Sequence, residues 1–143
     1  MGLCASNDSI SHQEFIRNKV MDRTTLSGFV GPAYCCSVYD GDTFDIIFKK
    51  GGVVQRRKVR LLGIDCPELK PKLTVENRAQ VVKKAVAARD YVSSQILDKR
   101  VMVSILADDK YGRPLVKVTY NKMDLATTMI ELGFGVPMMG RLK

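Results

Sequence analysis

A chain of 143 residues holds one domain with one real core, and its 45% hydrophobic and 27% charged residues carry no signature of disorder. Lys and Arg number 23 against 15 Asp and Glu, and the resulting formal charge of +8 attracts polyanions, with nucleic acid the commonest. His12 is the single histidine, which nearly excludes a histidine base or a multi-histidine metal site, and neither a bilayer-spanning apolar run nor a signal peptide is expected.

Residues 1–24 are polar and mixed and read as an arm, with a short helix over "QEFIRNKVM"; residues 25–143 read as the folded domain. From Leu26 the pattern turns β-branched and apolar. "LSGFVGPAYCCSVY", "TFDIIFKK" and "VVQRRKVRLLGI" are three predicted strands, and Gly51-Gly52 is the hairpin turn between the last two. Two prolines make "CPELKPKL" a loop. After Thr74, a suitable N-cap, Val81, Ala85, Ala88, Val92 and Ile96 recur at three- and four-residue steps, so an amphipathic helix packs on the sheet. "RVMVSILA" and "PLVKVTY" are two more strands, joined by the turn "DDKYGR". A short last helix starts at Asp124 as N-cap and stops near Gly133. Mainly β with α, this order matches a five-stranded OB-fold, a Greek-key barrel with one packed amphipathic helix and a short C-terminal helix.

Cys4, Cys35, Cys36 and Cys66 form no C-x-x-C pair, and the adjacent Cys35 and Cys36 alternate faces in a strand. A reducing compartment suits them best.

Three short runs stand out chemically. "YDGDTF" sets Asp40 and Asp42 around Gly41; a hairpin turn, with Gly41 supplying a positive φ, accounts for the glycine and one acid but not for Asp42. "RLLGIDCPE" holds Arg60 in the third strand, Asp65 at its end, and Cys66, Pro67 and Glu68 leaving the sheet. "DKYGRPL" places Arg113 at the start of a strand. Taken singly, each run has an ordinary reading as turn or surface.

Together and in this order they resemble the staphylococcal nuclease (thermonuclease) family, whose patterns D-G-D-T, R-L-x-x-I/V-D-x-P-E and D-K-Y-G-R build one site on an OB barrel; the resemblance covers about residues 26–136. It implies a calcium-dependent phosphodiesterase acting on single-stranded or locally melted DNA and on RNA. It further implies Asp42 and Asp65 as direct Ca2+ ligands, the backbone carbonyl of Cys66 as a third, and Asp40 acting through water. By the same resemblance Glu68 is the general base or water-orienting group, Arg60 and Arg113 hold the scissile phosphate, and Lys110 and Tyr111 contact the neighbouring phosphate. These roles agree with elementary chemistry. Calcium takes hard oxygen ligands in irregular, partly hydrated geometry, and two guanidiniums fork phosphate oxygens as lysine cannot.

The chain departs from the family's pattern in having Cys66 where threonine is usual and in ending "GFGVPMMGRLK", without the tyrosines that stack on a substrate base. A catalytically weak nucleic-acid- or protein-binding module is therefore the competing reading. The opening "MGLCAS" matches the N-myristoylation pattern at Gly2, and Cys4 is placed for palmitoylation. Two chains would hold the protein on the cytoplasmic face of a membrane where one would not.

Overall fold

The computed structural model describes residues 26–138. The expected arm, its short helix, and the lipidation candidates Gly2 and Cys4 lie outside the described residues. In chain order the elements are β1 (Val30–Asp40), β2 (Thr43–Lys50), β3 (Val53–Leu61), β4 (Ile64–Asp65), α1 (Arg78–Ile96), β5 (Arg100–Asp108), β6 (Pro114–Tyr120), β7 (Met123–Asp124), α2 (Leu125–Glu131) and β8 (Val136–Pro137).

Period-two alternation drives the long strands. In β2, Phe44, Ile46 and Phe48 are buried while Asp45, Ile47 and Lys49 face out; in β5, Val101, Val103 and Ile105 are buried and Met102 and Leu106 exposed. Gly51 and Gly52, at φ 59° and 82°, supply the two positive φ values of a tight I′ hairpin between β2 and β3. The strands lie in the order β3-β2-β1-β5-β6, and a short parallel seam between β3 and β6, Arg60 opposite Leu115 and Leu61 opposite Val116, closes them into the expected five-stranded barrel. Closure removes the long sheet edges and sequesters Phe44, Ile46, Leu61, Ile105 and Val116, at roughly 1.5–3 kcal/mol of burial for each large side chain.

Both helices lie against this core, α2 through the buried Leu125, Ala126 and Met129. Ala85, Ala88, Val92 and Ile96 of α1 are fully buried, as their spacing requires, and Val81 is half-buried. The helix begins later than Thr74: its N-cap is Asn77, left-handed at φ 55°, and no side chain caps it. Asparagine tolerates that conformation better than the β-branched threonine. At α2 the expected cap is present, Asp124 accepting from the Thr127 N–H at 3.0 Å and from its hydroxyl at 2.7 Å, and Gly133 at φ 84° ends the helix.

Two details differ from the sequence reading and both bear on the site. The third strand stops at Leu61, because Leu62 and Gly63 turn (Gly63 φ 89°), so Asp65 lies on the separate strand β4. β4 in turn pairs with β8 of the C-terminal segment, Ile64 opposite Pro137 and Asp65 opposite Val136. Among the described residues no helix is long and apolar enough to cross a membrane.

Candidate active site

The β1–β2 hairpin puts Gly41 and Asp42 in the turn between the paired residues Asp40 and Thr43. "YDGDTF" is thus both a hairpin and part of a site. Gly41 is not in the positive-φ region, which corrects the reason assigned to it. Glycine is needed for lack of space: a Cβ there would lie 2.8 Å from Cys66 Sγ and 2.9 Å from the Ala88 Cβ of α1.

That close approach presses the turn against the loop after β4. Asp42, only 5% exposed, turns its carboxylate inward, where Oδ1 accepts from the Thr43 hydroxyl at 3.1 Å and Oδ2 from the Cys66 backbone N–H at 3.0 Å. The Asp42 carbonyl accepts from Leu61 N–H at 2.8 Å, pinning the turn to the end of β3. Arg60, one residue earlier, sends its guanidinium between two acids. Nη1 stands 3.4 Å from Asp42 Oδ2, while Nη2 is 2.5 Å from Asp65 Oδ1 and donates to the Ile64 carbonyl at 3.3 Å. Arg60 and Asp42 are largely shielded from solvent, whereas Asp65 is 46% exposed.

The electrostatics are unbalanced. Asp40, whose carboxylate accepts from the Asp42 N–H at 3.1 Å, has its carboxyl pushed well above the ordinary range by burial and then by the Asp42 charge. Two acids, Asp42 and Asp65, therefore share one guanidinium, with Asp40 beside Asp42, on a chain that is strongly positive as a whole. Burial, followed by Asp42 and Asp40, pushes the Cys66 thiol up to about 12.

A second group is built on the β5–β6 turn around Asp109, which the sequence reading gave no role. Asp109 Oδ1 accepts from the backbone N–H groups of Tyr111 (2.8 Å) and Arg113 (2.9 Å), and Oδ2 accepts from Arg113 Nε (2.8 Å). Burial alone would raise the Asp109 carboxyl; these hydrogen bonds and the Arg113 charge outweigh it and hold the group below its ordinary value. Arg113 is thereby fixed by Nε, with its carbon centre 5.7 Å from the exposed Tyr111 ring and Lys110 Nζ 5.2 Å from the same ring. Arg113 precedes β6, two residues ahead of the position facing Arg60 across the barrel seam. An acid two residues before a backbone N–H and four before an arginine, with glycine between, is an Asx-type turn signal that could have found Asp109.

The structure thus brings together Asp40, Asp42, Arg60, Asp65 and Cys66 in one group, and Lys110, Tyr111 and Arg113 in another. Glu68 is exposed on the loop past Cys66 and Pro67, joined to neither by a hydrogen bond or ion pair among the described residues. Among those residues no three His, Cys, Asp or Glu side chains are gathered so as to hold a metal ion.

Comparison with known proteins bears directly on this arrangement. A protein of Bacillus anthracis, called uncharacterized protein pXO1-141, is 28% identical over 132 residues, covering 90% of this chain. The chain spans 55% of that protein's length. The family described as staphylococcal nuclease homologue matches residues 58–139, more than half of the chain, from β3 through the Arg60, Asp65 and Arg113 positions to β8. With a closed barrel joining those positions, the chain belongs to the staphylococcal nuclease homologue family.

Proposed function

We propose that the chain is a calcium-dependent phosphodiesterase hydrolysing DNA, RNA or both. The observation that carries the reading is the Arg60 guanidinium shared by Asp42 and Asp65. One positive charge serving two carboxylates, with Asp40 beside them, leaves local negative charge that a bound cation would offset.

The donor set fits a hard divalent cation that keeps much of its shell in water and substrate. Asp42, in the β1–β2 turn, and Asp65, on β4, offer carboxylate oxygens on segments tied together by the Cys66 N–H to Asp42 bond, and the Cys66 sulfur is too soft a donor to suit a hard cation. Asp42 and Asp65 would hold Ca2+ directly, with the Cys66 carbonyl as a third donor and Asp40 acting through water. Calcium, when bound, supplies polarisation of the phosphoryl oxygen and neutralises charge at the reacting centre. Magnesium should substitute poorly, because it demands near-ideal octahedral geometry.

The chain's own residues do the rest. Arg60, already poised between the two acids, is within reach of a phosphate seated at them. Arg113, held through Nε by Asp109, presents its two terminal nitrogens as a fork suited to phosphate oxygens. Lys110 and Tyr111 lie on the same turn and would meet the neighbouring phosphate. Glu68, exposed on the loop after Cys66 and Pro67, would take the proton of the attacking water, help worth about a hundred- to ten-thousandfold in rate. The exposure of Glu68 is also the observation that favours the competing reading, a binding module with little turnover. N-terminal acylation at Gly2 and Cys4, holding the chain at the cytoplasmic face of a membrane, is part of the proposal and rests on the sequence pattern.

The test is to incubate purified protein with labelled single-stranded DNA and RNA in calcium, then with excess chelator. Chelator-sensitive cleavage supports the enzyme; binding without cleavage supports the module.

A further inference from the structure

A cleft of about 490 Å³ opens beside Asp65, and none of its lining residues belongs to the β5–β6 turn. Asp65, Cys66 and Pro67 form one wall, Lys84 and Ala87 of α1 a second, and the segment from Leu132 to Val136 a third. The third wall is firmly seated: Phe134 stacks on Tyr91 with ring centroids 4.8 Å apart, and a Cβ on Gly135 would lie 2.8 Å from the Asp65 carbonyl. Leu132 and Val136 nevertheless stay 55% and 61% exposed. Apolar side chains so exposed on a rigid wall leave the cleft open to an occupant.

We propose that this cleft is a nucleoside subsite: it takes the sugar and base on one side of the scissile phosphate, and Lys84 binds the next phosphate along the strand. The inference rests on the reading that the Arg60 cluster handles phosphodiesters. Three features select the occupant. Asp65 and Cys66 belong both to the cleft and to the acidic cluster, so a strand whose phosphate sits at Arg60 continues into the cleft without a gap. The volume falls in the range of about 300–1,000 Å³ that encloses a small organic ligand. The lining pairs apolar walls with a cation, Lys84, which has no acidic partner among the described residues. A nucleotide, flat and apolar at the base and anionic at the phosphate, matches that pairing; an uncharged apolar peptide would leave Lys84 unanswered. Phe134 already spends ring surface on Tyr91, so the base gains apolar contact rather than a full stacking platform, and base selectivity should be low.

The experiment measures the affinity of the full chain for a short fluorescent single-stranded oligonucleotide, in chelator, across a salt series. Ala87→Trp fills the cleft from an exposed helix position and should weaken binding at least fivefold, roughly the loss of one good contact. Lys84→Ala should weaken it similarly and lower the slope of log affinity against log salt by about 0.7, the value for one phosphate contact on a single strand. Lys83→Ala removes the same charge one residue away, outside the cleft lining, and should change the slope much less. If Ala87→Trp loses its fold on thermal melting, Val136→Asp, at an exposed wall position, must give the same weakening. Unchanged affinity in a folded cleft variant, or equal slopes for Lys84→Ala and Lys83→Ala, overturns the subsite while leaving the hydrolytic reading intact. A wild-type chain that binds the oligonucleotide through the cleft yet never cleaves it in calcium overturns hydrolysis and keeps the subsite; one that binds no nucleic acid overturns both.

Discussion

Replacing Gly41 by alanine tests how the site is assembled, because the added methyl group has nowhere to go. It would meet Cys66 Sγ at 2.8 Å, Ala88 Cβ at 2.9 Å and Cys66 Cβ at 3.1 Å. Neither neighbour yields cheaply. Ala88 is fully buried on α1, and Cys66 is tied by its N–H to the buried Asp42 carboxylate. Carbon contacts become comfortable near 3.4 Å, so the Cys66 loop or α1 must retreat by roughly half an ångström. Overpacking of this kind costs about 1–3 kcal/mol, which lowers Tm by roughly 3–10 °C in a chain of 143 residues. Urea unfolding should show a lower midpoint at unchanged slope. Cys66→Ala removes the shortest of the three contacts, so the double variant should recover part of the loss, with a coupling of at least about 0.5 kcal/mol. Wild-type stability in Gly41→Ala, or strict additivity with Cys66→Ala, would show that the hairpin does not press on the Cys66 loop.

Glu68→Gln should leave oligonucleotide affinity nearly intact and lower kcat at least a hundredfold, roughly the floor for general-base help; full-rate cleavage would remove Glu68 from the mechanism. Asp109→Asn should free Arg113 and raise KM for single-stranded DNA. Because the Asp109 carboxyl is held below its ordinary value of 3.8, its contribution is fully present above that pH and is lost as pH falls through the lower folded value. The stability gap between wild type and Asp109→Asn, from urea titrations, should therefore be flat from neutral pH down to about 4 and shrink below it; a gap that widens on acidification would refute the assignment. Gly2→Ala, expressed in a eukaryotic cell and fractionated, should move the protein wholly into the soluble fraction, and an intact chain already soluble there would dispose of the lipid anchor.

What the sequence made legible is what local chemistry dictates. The Gly51-Gly52 turn needs two positive φ values, Asp124 needs an N–H three residues on, and the spacing of Ala85, Ala88, Val92 and Ile96 admits one helical face. Asp42, Arg60 and Asp65 were legible through the family resemblance of three runs taken together, since each run alone has an ordinary reading. What stayed hidden is non-local. Nothing near Arg60 announces that β6 will run parallel beside it, and "GFGVPMM" has no alternation to betray a two-residue strand against β4. The reason for glycine at position 41 lies in Cys66 and Ala88, far along the chain. The true start of α1 at Arg78 depends on a left-handed Asn77, whereas Thr74 carried the stronger local cap signal.

Asp42 and Asp65, gathered on Arg60, form the proposed calcium site. Its most direct measurement is the single-turnover cleavage rate of single-stranded DNA titrated with calcium, for wild type and for Asp42→Asn. Wild type should show saturable activation that chelator reverses, and the variant should need at least roughly tenfold more calcium or fail to respond, since a neutral amide replaces a charged ligand. Cleavage that persists in chelator, or identical calcium curves for the two proteins, would contradict it.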